Sequence, residues 1–132
     1  MKTFLTIALM AFTTTSFAQD CVDSSGNDIS GEPDAFYEII SNAGSCYQAS
    51  QLAQACAWGS SLDVQTAGAA YDVCDDELKS LEPSDKLTSL LKQMGNACSE
   101  KYDNEDGTMY RSMSSYCYLS AIAWIVNLAT QN

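Results

Sequence analysis

Asp72, Asp75, Asp76 and Glu77 make the densest run of ionisable side chains in this chain. At helical spacing Asp72, Asp75 and Asp76 share one face, and a pair of carboxylates is the minimum equipment for glycoside hydrolysis. The chain contains no histidine. That removes the commonest general base and the usual partner of a serine or cysteine nucleophile. The six cysteines, Cys21, Cys46, Cys56, Cys74, Cys98 and Cys117, are the other residues with chemistry to offer. An even number in a short exported chain reads as a framework of three disulfides, which leaves no free thiolate. No Cys-x-x-Cys pair is present, and a zinc site without histidine would need cysteine and carboxylate ligands alone. These residues therefore predict a protein that is not an enzyme and uses no metal or cofactor. The carboxylate run reads as a solvated acidic face beside an apolar stripe.

Charge says more about the kind of partner. Seventeen Asp and Glu against six Lys and Arg give a net charge of −11. A domain this acidic repels nucleic acid and anionic membrane surfaces and is steered toward cationic proteins. The candidate contacts are Asp72, Asp75, Asp76 and Glu77, or the polar turn Asn104-Glu105-Asp106.

Export is written at the start of the chain. Met1-Lys2 supplies a basic start, Phe4 to Phe12 an apolar run, and Ser16 and Ala18 the small residues of a cleavage site before Gln19. Residues 1–18 thus read as a signal peptide. Removing it takes Lys2 away and leaves 132 − 18 = 114 residues, one domain by length. Residues 19–32 read as a polar, turn-rich arm pinned by Cys21. Asp23, Ser25, Gly26 and Glu32 fall at EF-hand positions, but the first ligand position would be Cys21, wrong for a hard cation. Aligning Gly107 with the EF-hand glycine likewise puts Tyr102 and Met113 at the first and last ligand positions.

Residues 33–132 show helical periodicity with no competing strand-like alternation. Pro33 opens a first helix whose face is Phe36, Ile39, Ile40 and Ala43, with Gly44 at its end. A second covers roughly Tyr47 to Trp58, stopped by Gly59. Ser60 caps a third, with Asp63 three residues on, and Val64, Ala67, Tyr71, Cys74, Leu78 and Leu81 on its apolar stripe. Glu82-Pro83 breaks it, and Ser84 caps a fourth through Leu87, Leu90, Leu91, Met94 and Cys98. The short break predicts that the third and fourth helices pack as an antiparallel pair. The last helix, from Met109 or Ser112 to Ala129, contains the run Tyr116 to Ala129, interrupted only by Ser120 and Asn127. That run is about 21 Å long as a helix, short of the roughly 20 residues a bilayer needs. It predicts an all-α fold, a small disulfide-stapled bundle of four to five helices around an apolar C-terminal helix.

Geometry restricts the cysteines. Bridged Cα atoms lie about 4.4–6.8 Å apart, while ten residues of helix span about 15 Å. Cys46 and Cys56 can therefore pair only if Cys46 lies outside the second helix. Cys98 and Cys117 straddle the 103–108 turn and fit well as a pair, a bridge that would stabilise the fold by roughly 3 kcal/mol.

With these features in place, the chain resembles the LprI-like lysozyme inhibitors of the bacterial envelope. The residues that carry the likeness are Cys46, Cys56-Ala57, Asp76, Leu78, Cys98, Gly107-Thr108-Met109, Ser115 and Cys117, over a stretch from Cys46 to about Leu128. Where the family has Glu-Met, Trp and Arg-Asp, this chain has Leu52-Ala53, Leu90, Met94 and Gly95. The resemblance implies a helical, disulfide-bonded periplasmic or extracellular protein that binds and inhibits a cationic lysozyme. It also implies that the four shared cysteines pair among themselves, Cys46 with Cys56 and Cys98 with Cys117, leaving Cys21 for Cys74. Two other readings stand beside it. One is a carrier for a small apolar ligand, its cavity lined by Tyr110, Met113, Tyr116, Tyr118 and Trp124. The other is a non-enzymatic envelope interaction module, dimerising through an exposed aromatic face.

Overall fold

Helix boundaries follow the capping residues closely. The computed structural model describes residues 21–22, 25–28, 33–102 and 104–131. Within them lie α1 (Pro33–Ser41), α2 (Cys46–Ala55), α3 (Ser61–Ser80), α4 (Asp85–Tyr102) and α5 (Thr108–Thr130). The expected signal peptide, residues 1–18, lies outside the described residues, as does most of the 19–32 arm. Val22 and Asp28 of that arm form an isolated antiparallel bridge.

The start of α2 differs from expectation. Ser45 is its N-cap, and its hydroxyl accepts from the Gln48 N–H at 3.2 Å. Gln48 Oε1 in turn accepts from the Gly44 N–H at 3.1 Å, a reciprocal arrangement close to a capping box. Cys46 is therefore the first residue inside the helix, and Cys56 follows its last turn. The two sit at opposite ends of one rod about 15 Å long, so they cannot bond. Cys46 instead pairs with Cys74 of α3, with Cα atoms 4.3 Å apart, and Cys56 pairs with Cys21 at 4.9 Å. The expected Cys46–Cys56 and Cys21–Cys74 bridges are both corrected by that one shift. The expected Cys98–Cys117 bridge is present, with Cα atoms 5.7 Å apart.

α5 is the central element and packs against α2, α3 and α4. Its buried side chains Leu119, Ile122, Ile125 and Val126 meet alanines on the neighbouring helices, Ala49 and Ala53 of α2 and Ala67 and Ala70 of α3. Small residues on one partner and large on the other let helix axes approach closely. On the far side of α3, Phe36 and Ile40 of α1 are fully buried. Trp58 covers Phe36 edge-on, with ring centroids 6.1 Å apart. α3 therefore packs on three partners and buries a wider face than its apolar stripe predicted. Thr66, Ala69 and Ala70 are buried, while Val64 and Leu81 lie at exposed edges.

α3 and α5 run parallel. Asp63 meets Ser112, Tyr71 and Tyr118 border one hollow, and Glu77 and Val126 border another further along. α4 runs back along α5, with Cys98 against Cys117 and Leu90 near Trp124. The expected α3–α4 pair does not form, because among the described helices α4 packs on α5 alone. Tyr118 of α5 is wedged between them. A Cβ placed on Gly95 would lie 3.1 Å from the Tyr118 ring, so the glycine makes room for that ring. The tyrosine hydroxyl hydrogen-bonds Ser99.

One buried carboxylate joins the turn before α3 to the start of α5. Asp63 is 0% exposed. It accepts from the backbone N–H groups of Trp58, Gly59 and Ser60 at 3.0, 2.7 and 3.1 Å, and from the Ser112 hydroxyl at 2.6 Å. Gly59 has φ 71°, the left-handed conformation that lets successive N–H groups point at one anion. Asp63→Ala leaves four donors without their acceptor. It should lower unfolding free energy by about 3 kcal/mol, and Ser112→Ala by about 1 kcal/mol. Urea denaturation of the oxidised protein checks this. A loss below about 1 kcal/mol for Asp63→Ala would contradict the role given to it.

Candidate functional site: the acidic face of α3

The four clustered acidic residues of α3, Asp72, Asp75, Asp76 and Glu77, do not act alike. Asp72 and Asp76 are exposed and Asp75 is half-buried. Lys79, one turn further on, pairs with Asp75 at 2.5 Å and reaches Asp76 at 3.6 Å. The hydrogen bond from Lys79 to Asp75, then the nearby charge of both aspartates, holds the ammonium above its ordinary pKa. An exposed pair of this kind contributes little to stability, but it fixes the side chains along the helix. Glu77 turns the other way. Its Oε2 accepts from the Cys46 N–H at 2.5 Å, which places a carboxylate at the positive N-terminus of α2. Glu77 is thus a structural cap beside the Cys46–Cys74 bridge, and the outward face consists of Asp72, Asp75 and Asp76.

A shallow hollow of about 320 Å³ runs along this face between α3 and α5, bordered by Gly68, Tyr71, Asp72, Ser115 and Tyr118. A second of about 360 Å³ lies on the other side of Tyr71 and Tyr118, where α4 has parted from α3, and carries Lys92 and Asn96. Burial, then the charges of Asp75 and Asp72, raises the Tyr71 phenol above its ordinary pKa. Asp72 thus puts a carboxylate on the wall of the first hollow, and Lys92 puts an ammonium on the wall of the second.

The other predicted contact group stands apart. Asn104, Glu105 and Asp106 are exposed in the turn before α5, and Asp103 lies outside the described residues. Since α3 and α5 are parallel, that turn sits beside the start of α3. Asp63 to Asp76 is about 20 Å of helix, so the two acidic groups stand well apart along the bundle. Among the described residues, no group of three cysteine or carboxylate side chains is placed to hold a metal ion.

The aromatic residues of α5 do not line one cavity. The Tyr116 hydroxyl donates to the Ala53 carbonyl at 2.6 Å and ties α5 to α2. Tyr118 fills the gap between α3 and α4, while Met113 and Trp124 are exposed. Two features escape the sequence pattern: Ser112 as a partner of Asp63, and an apolar groove between α4 and α5 beside Trp124. Asp63 itself was legible as a cap residue, but its reach across to α5 was not. No helix among the described residues is long and apolar enough to cross a membrane. Comparison with protein-family models, with curated proteins and with solved structures yields no match.

Burial pushes the Tyr116 phenol up to about 12. A group whose proton is held more tightly in the folded state stabilises the fold fully below its unfolded pKa, near 10, and that contribution is lost as pH rises through about 12. Ultraviolet titration should show one tyrosine ionising well after the exposed ones, and Tyr116→Phe should remove that late step. A single uniform tyrosine transition near pH 10 would contradict the burial of this hydroxyl.

Proposed function

We propose that the mature chain is an exported acidic protein that binds a cationic lysozyme and inhibits it, as the resemblance to the LprI-like envelope inhibitors implies. The observation that supports this best is the row Asp72, Asp75 and Asp76 on the outward side of a helix held by the Cys46–Cys74 bridge. Carboxylates on a rigid helix are ordered before the partner arrives, so association loses less side-chain and loop entropy. The surrounding net negative charge, −11 for the full sequence and greater once Lys2 is removed, steers a cationic enzyme to the surface. The three disulfides agree with an oxidising compartment outside the cytoplasm, where such an enzyme attacks cell walls. Inhibition follows if the docked protein covers the substrate cleft of the muramidase; no catalytic group of this chain is needed.

Asp72 and Asp76 are the main contacts in this reading. Asp75 shares its charge with Lys79, and Glu77 is withdrawn because its carboxylate is committed to α2. The turn Asn104-Glu105-Asp106 forms a second acidic contact available to a partner wide enough to span the bundle.

A cell-wall lysis assay with purified mature protein and lysozymes of several types tests the proposal. Lysis should slow near equimolar protein at low salt and recover as ionic strength rises. Combined Asp72→Lys and Asp76→Lys should weaken inhibition about tenfold or more, the factor that 1.4 kcal/mol makes. Unchanged lysis at equimolar and excess protein, at low salt, for every lysozyme type would overturn it.

A further inference from the structure

Among the described helices α4 lies on α5 alone, and one consequence is an open groove between them of about 750 Å³. That volume is within the range of small-molecule sites, roughly 300–1,000 Å³. Its walls are Leu90 and Met94 on one side and Ala121 and Trp124 on the other, with the Cys98–Cys117 bridge between them. Trp124 is 49% exposed there, a large apolar ring left facing solvent. Among the described residues no carboxylate lines this groove, and the one charged residue on it is Lys101. Lys101 has no carboxylate within ion-pairing distance among the described residues, and its ammonium rests over the Tyr102 ring at 5.2 Å.

The placement of these residues gives the groove a length and a polarity. Leu90 and Lys101 are separated by about 16 Å of helix. That is close to half of a bilayer's roughly 30 Å hydrocarbon core, hence to the length of one lipid acyl chain. An apolar channel of that length ending in a single ammonium matches a molecule with one alkyl chain and one anionic head. We propose that the α4–α5 groove binds a free fatty acid, with the alkyl chain along Met94 and Trp124 and the carboxylate at Lys101. The site is independent of the lysozyme-binding face. A second copy of the chain is a poor occupant, because it brings one strongly acidic chain against another and one Lys101 toward another. An anionic bilayer surface is repelled for the same reason.

The test uses the oxidised mature protein, stripped of lipid, with myristate below its aggregation concentration. Trp58→Phe leaves Trp124 as the one tryptophan of two, so its fluorescence reports the groove. Myristate should shift that fluorescence saturably at one molecule per chain, and equilibrium dialysis should give the same stoichiometry. Lys101→Glu should weaken myristate about tenfold while leaving the methyl ester of myristate unaffected. Ala97→Phe, at an exposed position on the groove wall, should block both ligands without disturbing the core. Failure of myristate to bind in both assays overturns the proposal, as does equal binding by Lys101→Glu, Ala97→Phe and the parent protein. A dimer in sedimentation that hides Trp124 from quenchers, or binding to anionic vesicles without binding of monomeric myristate, assigns the groove to another occupant and overturns it equally.

Discussion

The carboxylate of Asp63 carries its charge into a place with no solvent, and the fold is arranged to satisfy it. A buried carboxylate without partners is strongly unfavourable, so each oxygen must find donors nearby. The backbone of the 58–60 turn supplies three and Ser112 supplies the fourth. The first three are local and form with the cap of α3. The Ser112 bond is not local, since it spans 49 residues of sequence. It joins α5 to the start of α3 at the register in which the two parallel helices pack, and the other arrangements go with that register. Tyr118 arrives at the level of Tyr71, Val126 at the level of Glu77, and α4 is displaced outward by the Tyr118 ring.

Much of this fold was legible because its signals are local. The apolar run from Tyr116 to Ala129 marks the central helix, Ser60 with Asp63 marks the start of α3, and Pro83 marks its end. The disulfide error also had a local remedy. Ser45 and Gln48 already form a Ser-x-x-Gln signature, which places Cys46 inside α2 and forbids a bond to Cys56. The separation of α3 from α4 had no such signal. A short turn favours a packed pair, and only the three-dimensional position of Tyr118 against Gly95 reveals what stands between them.

The candidate surfaces show the same limit. Composition identifies an acidic protein and the densest acidic helix, yet it cannot say which carboxylates face outward. Glu77 and its neighbour Asp76 look equivalent in sequence, and one caps α2 while the other is exposed. Leu90, Met94 and Trp124 sit at helical spacing that reads as core, and a groove appears because α4 has a single neighbour among the described helices. Disulfides hold both surfaces: Cys46–Cys74 lies under the acidic face, and Cys98–Cys117 floors the apolar groove.

The central functional claim is that the outward carboxylates of α3 meet a cationic enzyme. Zero-length carbodiimide cross-linking of the mature protein to lysozyme, followed by peptide mass spectrometry, addresses it at residue level. Cross-links are expected from Asp72 and Asp76 to lysozyme lysines, with Asp63 and Glu77 unmodified because their carboxylates are engaged within the fold. Cross-links confined to other carboxylates, or a yield no higher than with a non-cationic control protein, would contradict it.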